Sequence, residues 1–327
     1  EMDMLYQLDQ ICRKYNIHYF ASGGTMLGAV RHKGFIPWDD DIDIMMFREE
    51  YDKLCKVAPK ELKYPYFFQT EYTDKGSLRG HAQIRNCKTT GILMSEKDKK
   101  YQFNQGIFVD IFPLDAIVND EELFHRQFKR AMKYKKLAFQ IAKLTTRYNS
   151  YTLQSKKKIF IFLLHYIIKL DFLHLFSSEK YYKKFEDECK RYNYMNTEMV
   201  STLSLQFDNR QHFKYRSDYQ EPIYMDFEFM QIPVSSQYDH ALRVRYGEYM
   251  KFEKMQMENV TLPPYQIPYI IGATSYLNTT QDNVEIHTDN QNISKKEYCS
   301  MYNDLAAFFY SHKEYFPLAN IYIALNK

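Results

Sequence analysis

Four of the chain's ten glycines, Gly23, Gly24, Gly28 and Gly34, fall within twelve residues, and Asp39, Asp40, Asp41 and Asp43 follow at once. In a chain so poor in glycine, such crowding asks for a backbone that other residues cannot adopt. The apolar run Ile17–Ala21 reads as a short strand running into Ser22-Gly23-Gly24-Thr25, and Met26 to Arg31 reads as the start of a helix. A strand that turns through two glycines into a helix leaves backbone N–H groups uncovered at the positive end of the helix dipole, a geometry that cradles phosphate. An ordinary tight turn uses glycines in the same way, so the Gly-Gly pair alone decides nothing.

The aspartates narrow the choice. In Asp41-Ile42-Asp43-Ile44 the strand period puts both carboxylates on one face, ~6.6 Å apart along the chain. They can converge on one or two cations, and metals ~3.5–4 Å apart serve in-line displacement at phosphorus. Without a cation, repulsion would tend to keep one of them protonated. A solvated acidic turn explains Asp39 and Asp40, but not Asp43, because Ile42, Ile44, Met45 and Met46 mark a buried strand. A third acid, Asp110, shares a strand face with Phe108 and Phe112. An unpaired carboxylate buried there is costly, so Asp110 needs either a basic partner or the same cations. Three acids on two strands beside a glycine turn form the constellation of the nucleotidyltransferase superfamily, in which one carboxylate can help deprotonate the attacking hydroxyl.

The rest of the chain predicts an α+β fold: a nucleotidyltransferase-like mixed β-sheet core with flanking helices and a helical insertion. Helical spacing covers the first 16 residues, and a second helix runs from Arg48 to Ala58, where Pro59 ends it. Tyr66–Gln69, Ala82–Arg85, Gly91–Met94, Ile107–Phe112 and Tyr224–Ile232 read as strands, and Ser236–Tyr246 as a helix. Residues 120–193 contain neither Gly nor Pro and read as two or three helices. The expected organisation is a catalytic core over 1–119, a helical insertion over 120–200, the remainder of the core over 201–275, and a C-terminal loop and helix over 276–327. Ser294 with Glu297 forms a capping-box signature for that last helix.

Lys+Arg 44 against Asp+Glu 41 excludes an overall polycation, and 45% hydrophobic content excludes disorder. Five scattered cysteines without a C-x-x-C fit a reducing compartment better than a disulfide framework or a structural zinc site. With no export signal at its start, the chain is expected to be cytoplasmic. Eleven basic and no acidic residues lie between Arg126 and Lys158, directly before the apolar run 159–168. A buried helix beside a solvated basic face explains this pattern; peripheral contact with an anionic membrane at the inner face of the cell is the sharper reading. Nucleic acid is not the expected partner, because basic residues interleaved with aromatics on helices are a weak signal.

Residues Ser22 to Ile44, from Ser-Gly-Gly-Thr to Trp-Asp-Asp-Asp-Ile-Asp-Ile, resemble the signature of the LicD family, phosphocholine-type transferases of bacterial surface glycans related to fukutin and fukutin-related protein. Val109–Asp115, Phe229–Ile232 and Arg245–Met250 agree in order and spacing. Where the family usually has a Lys-Ile-Arg strand, this chain has Gln83-Ile84-Arg85. The resemblance implies transfer of a phospho-alcohol from a CDP-alcohol donor, CDP-choline favoured, to a hydroxyl of a glycan or glycolipid acceptor, with release of CMP. It implies Mg²⁺ or Mn²⁺ held by Asp41 and Asp43, with Asp39 as a further ligand or one step behind them, and Asp110 either completing the metal site or accepting the acceptor's proton. Ser22, Gly23, Gly24 and Thr25 would line the phosphates, and Arg31, Lys33 and Arg85 would neutralise them. Trp38 offers a face for a quaternary ammonium or simply packs its loop. His32 is either a general acid for the leaving group or a hydrogen-bonded helix-end histidine. A nucleotidyltransferase releasing pyrophosphate and a non-catalytic glycan- or nucleotide-binding module remain the alternatives.

Overall fold

A computed structural model of the protein describes residues 1–36, 39, 41–93, 101, 103–145, 177–206, 213–250 and 276–277. In chain order the elements are α1 (Met2–Tyr15), β1 (Phe20–Ala21), α2 (Gly23–His32), β2 (Asp43–Phe47), α3 (Arg48–Glu61), β3 (Tyr66–Gln69), β4 (Ala82–Asn86), β5 (Ile92–Leu93) and β6 (Ile107–Ile117). There follow α4 (Glu121–Thr145), α5 (Ser178–Cys189), β7 (Met199–Ser201), α6 (Leu203–Gln206), β8 (Lys214–Tyr215), β9 (Pro222–Phe227), β10 (Met230–Ser235) and α7 (Tyr238–Tyr246). The architecture is mixed α+β, as the alternation of helical and strand patterns predicts.

The main sheet runs β1-β2-β6-β4-β3, with only the β2–β6 pair parallel. β6 is the longest strand, and its two halves have different neighbours. Residues 107–111 pair with β4, and residues 115–117 pair with β7, which in turn pairs with β8. Pro113 falls between those two partners, where a missing N–H donor is tolerated. The strand therefore runs five residues past the expected end at Phe112.

Apolar residues explain the layering. Leu5 and Leu8 of α1, Phe20, Ile44, Met45, Ile84, Val109 and Ile111 of the sheet, and Leu242 of α7 share one buried core. A second cluster, with Ala131, Ala138, Phe185 and Cys189, forms where α4 packs on α5. Arg48, at the start of α3, donates to both oxygens of fully buried Asp115 at 2.8 and 2.6 Å. Asn193 donates to the same carboxylate and accepts from the Ala116 amide, tying the segment after α5 to β6.

Three local expectations are corrected. Pro59 lies inside α3 rather than ending it; its fixed φ suits a helix, and in the last turn it forfeits one hydrogen bond at little cost. The stretch Tyr224–Ile232 is not one strand but the hairpin β9–β10, turning at Glu228-Phe229 with Glu228 at φ 54. α2 begins at Gly23, three residues before the expected Met26. Within the basic region, Arg130 pairs with Glu188 and Lys135 donates to the Ser204 carbonyl, so part of that charge is spent inside the molecule. Lys156 to Lys158, the run 159–168 and the Ser294–Glu297 signature lie outside the described residues. Among the described residues no helix is long and apolar enough to cross a membrane.

Candidate active site

The glycine turn and β2 hold each other. The Ser22 amide donates to the Asp43 carbonyl at 2.9 Å, and the Asp43 amide donates to Thr25 Oγ1 at 2.9 Å. Both backbone groups of residue 43 are thus fixed by the entrance to α2. Gly23 sits at φ +53, a conformation that L side chains adopt at a cost. A Cβ on Gly24 would stand 2.3 Å from Asp39 Oδ2, so the missing side chain is what lets that carboxylate approach the helix N-terminus. Gly28 is bare for another reason: its Cβ would stand 2.4 Å from the Gly34 carbonyl. The Glu228 side chain packs on Gly34 and accepts from the Phe35 amide, while the Glu228 amide donates to the Lys33 carbonyl. The β9–β10 turn therefore clamps the segment leading from α2 to the acids.

Asp43 and Asp110 are register partners on the parallel strands β2 and β6, and the Asp110 amide donates to the Ile42 carbonyl at 3.0 Å. Asp41 precedes β2 with fully buried Ile42 between the two acids. The charges of these acids act on one another. Burial, then Asp41, Asp110 and Asp39, push the Asp43 carboxyl well above the usual carboxylate range, with Arg245 opposing them. Burial and Asp110 likewise raise Asp41, against a hydrogen bond from Asp39. The expected trio does come together, with Asp39 beside it.

Asp110 finds its polar partners on β4 and at the residue just before it. Gln83 lies directly across from it and donates Nε2 to Oδ1 at 2.6 Å; His81 Nε2 meets the same oxygen at 2.9 Å. Burial pushes the Asp110 carboxyl up, but His81, Gln83 and Arg85 together hold it below the usual range. Arg85, expected at the phosphates, is placed elsewhere. It is 1% exposed and donates to Gln83 Oε1, Gln69 Oε1 and the Gly106 carbonyl. Its charge orients Gln83 from behind, with the guanidinium over Phe108.

The remaining expected residues scatter. Arg31 donates to the Tyr249 carbonyl at 2.7 Å, and its Nε meets Nδ1 of buried His32 at 3.4 Å. Lys33 is exposed and left-handed at the α2 C-cap. Trp38 and Asp40 lie outside the described residues. Two cations that sequence reasoning passed over stand closer. A Cβ on Gly23 would lie 3.7 Å from both Asp43 Oδ2 and the Tyr246 hydroxyl and 4.0 Å from Arg245 Nη2. Burial and Arg245 lower Lys214 to about 8, with Asp43 opposing. Arg245 opens a block already singled out by its resemblance, and His81-x-Gln83-x-Arg85 alternates polar groups on one strand face, so both carried a readable signal.

Among the described residues no group of three or more His, Cys, Asp or Glu side chains is drawn tightly enough to hold a metal ion as it stands. The chemistry of the donors nonetheless suits a hard divalent cation: carboxylate oxygens from adjacent strands, crowded enough to repel one another.

Comparisons with known proteins place the chain among relatives. The family model described as "LicD/FKTN/FKRP, nucleotidyltransferase domain" matches residues 16–145. The lipopolysaccharide cholinephosphotransferase LicD of Haemophilus influenzae is 30% identical over 252 residues, 76% of this chain and 88% of its own length. The uncharacterized protein RP689 of Rickettsia prowazekii is 33% identical over 124 residues, 37% of this chain and 44% of its own.

Proposed function

The chain belongs to the LicD family of phosphotransferases, and from that premise we propose that it moves phosphocholine, or a related phospho-alcohol, from a CDP-alcohol to a hydroxyl of a cell-surface glycan and releases CMP. The observation that carries this reading is the register pairing of Asp43 with Asp110 beneath the glycine turn. The Haemophilus relative is named for lipopolysaccharide, so a glycan of that kind is the first acceptor to test.

Asp41, Asp43 and Asp110, with Asp39 at their side, are the residues that would hold Mg²⁺ or Mn²⁺. When bound, the ion would supply charge neutralisation of the diphosphate and Lewis acidity at phosphorus. Gln83 and His81 both meet Asp110 Oδ1, and we assign the other oxygen, Oδ2, to the reaction. That oxygen accepts the proton of the acceptor hydroxyl as the hydroxyl oxygen bonds to the phosphorus of the phospho-alcohol. The bond from that phosphorus to the bridging oxygen breaks, and its electron pair leaves with CMP. The turn at Ser22–Thr25 lies against the same carboxylates and presents the N-terminus of α2 to the phosphates. Arg85 supports this arrangement through Gln83 rather than by touching substrate.

The experiment is to incubate the protein with Mg²⁺, the glycan acceptor and CDP-choline, CDP-glycerol or CDP-ribitol, and to follow CMP by chromatography. CMP formation that Asp43→Asn abolishes supports the reading. Pyrophosphate released from a nucleoside triphosphate would instead favour nucleotidyl transfer, which the wording of the matching family keeps in view.

A further inference from the structure

A small cavity opens beside the glycine turn, lined by Gly23, Tyr219, Asp218, Lys214 and Arg245 among others. Its walls come from α2, from β8 with the residues just after it, and from α7, so three distant stretches of chain meet there. Two cations share this wall. Placing them together is unfavourable, since Arg245 works against the charge on Lys214. Asp218 also lines the cavity, but its Oδ2 already meets His240 Nδ1 at 2.9 Å. Asp43 is an opposing charge that both cations feel, and Arg245 Nη2 and Asp43 Oδ2 lie 4.0 and 3.7 Å from the point where a Cβ on Gly23 would stand. An anion bound to an ion at Asp43 would therefore lie beside both cations.

We propose that Lys214 and Arg245 form a phosphate grip: they take phosphoryl oxygens of the nucleoside diphosphate donor beside Gly23, and keep hold of the nucleoside monophosphate after transfer. The proposal rests on the phosphotransferase reading above and adds to it the residues that carry the donor's negative charge. It also gives a role to two residues that lie after residue 200, on β8 and α7.

Calorimetry tests it with three probes: CDP-choline with Mg²⁺, CMP with Mg²⁺, and Mg²⁺ alone. Lys214→Met and Arg245→Gln are expected to weaken both nucleotides at least about tenfold. Lys214→Arg, which keeps the charge, is expected to stay within about threefold of the unsubstituted protein. Mg²⁺ alone should bind Lys214→Met no more weakly than the unsubstituted protein, because the lysine opposes the ion. If the unsubstituted protein binds neither nucleotide, the phosphotransferase reading fails and the grip fails with it. If it binds both, and Lys214→Met and Arg245→Gln match it within about twofold, the grip alone is overturned. Loss of Mg²⁺ binding in step with nucleotide binding in Lys214→Met would make Lys214 a structural prop and overturn the assignment as well.

Discussion

Gln83 and Asp110 stand directly across from one another on antiparallel strands, and the Gln83 amide donates to Asp110 Oδ1 at 2.6 Å. Because Arg85 fixes the other end of that amide, the carboxylate is oriented by a chain of hydrogen bonds rooted in the core. Gln83→Leu removes one of the two donors to Oδ1 and takes from Arg85 one of its acceptors. Partners behind a ligand typically matter 10–100-fold, and we expect turnover to fall by about that much, with Mg²⁺ affinity falling in parallel. Steady-state kinetics at varied Mg²⁺ would check this; an unchanged Mg²⁺ dependence would detach Gln83 from the site.

Asp43→Asn should separate stability from activity. The native protein bears a buried carboxyl pushed well upward by burial and three neighbouring acids. Its replacement relieves that repulsion, so the metal-free variant should melt at a higher temperature than the parent, while turnover falls by about 10²-fold or more. Scanning calorimetry in EDTA and the CMP assay measure the two halves.

The same shifts fix a pH dependence. Asp41 and Asp43 keep protons in the native state that the unfolded chain has already released. Their stabilising contribution is complete below the ordinary carboxylate range and is lost as pH rises through their raised values. Asp110 runs the other way: its contribution is present above the ordinary range and is lost only as pH falls through its lowered value. Melting temperatures in EDTA should therefore decline as pH rises above the ordinary carboxylate range, and the increment given by Mg²⁺ should grow over the same interval, because ion and proton compete for the same oxygens. An Mg²⁺ increment independent of pH would contradict this.

Two glycine substitutions should fail differently. Gly28→Ala meets a backbone carbonyl that cannot step aside, so it should cost about 1–3 kcal/mol of stability, read by denaturant titration. Gly24→Ala meets only the end of the Asp39 side chain, which can swing away. That variant should fold but bind Mg²⁺ and the CDP-alcohol more weakly.

Arg48 and Asp115 supply a control away from the chemistry. Removing either partner leaves a buried charge unanswered, and Arg48→Met alone should destabilise the fold by about 3–5 kcal/mol. Pairing it with Asp115→Leu should recover part of that loss, since an apolar pair of similar bulk carries no desolvation penalty.

The residues that were legible in the sequence are those whose neighbours in space are also neighbours in the chain. The Gly-Gly turn, the Asp41–Asp43 alternation and the strand around Asp110 could each be read from a short window, and the structure brings them together. Arg85 was misplaced because a strand arginine gives no local sign of which way it is anchored; its three acceptors come from β3, β4 and the start of β6. The β9–β10 hairpin was hidden because Glu228-Phe229 lacks the Asn-Gly or Gly-X pairs that announce a two-residue turn. Lys214 was missed because nothing but tertiary folding sets it against Gly23, whereas Arg245 opens a block that the resemblance already marks.

Glu228 holds the loop that delivers the acids although it lies more than eighty residues beyond the stretch matched by the family model. A fragment trimmed to residues 16–145 would keep every candidate ligand and lose the latch that poises them, along with α1, Lys214 and Arg245. Genetic dissection of this protein should therefore treat early and late halves of the gene as a single complementation unit, with late missense changes producing the same glycan phenotype as loss of an aspartate.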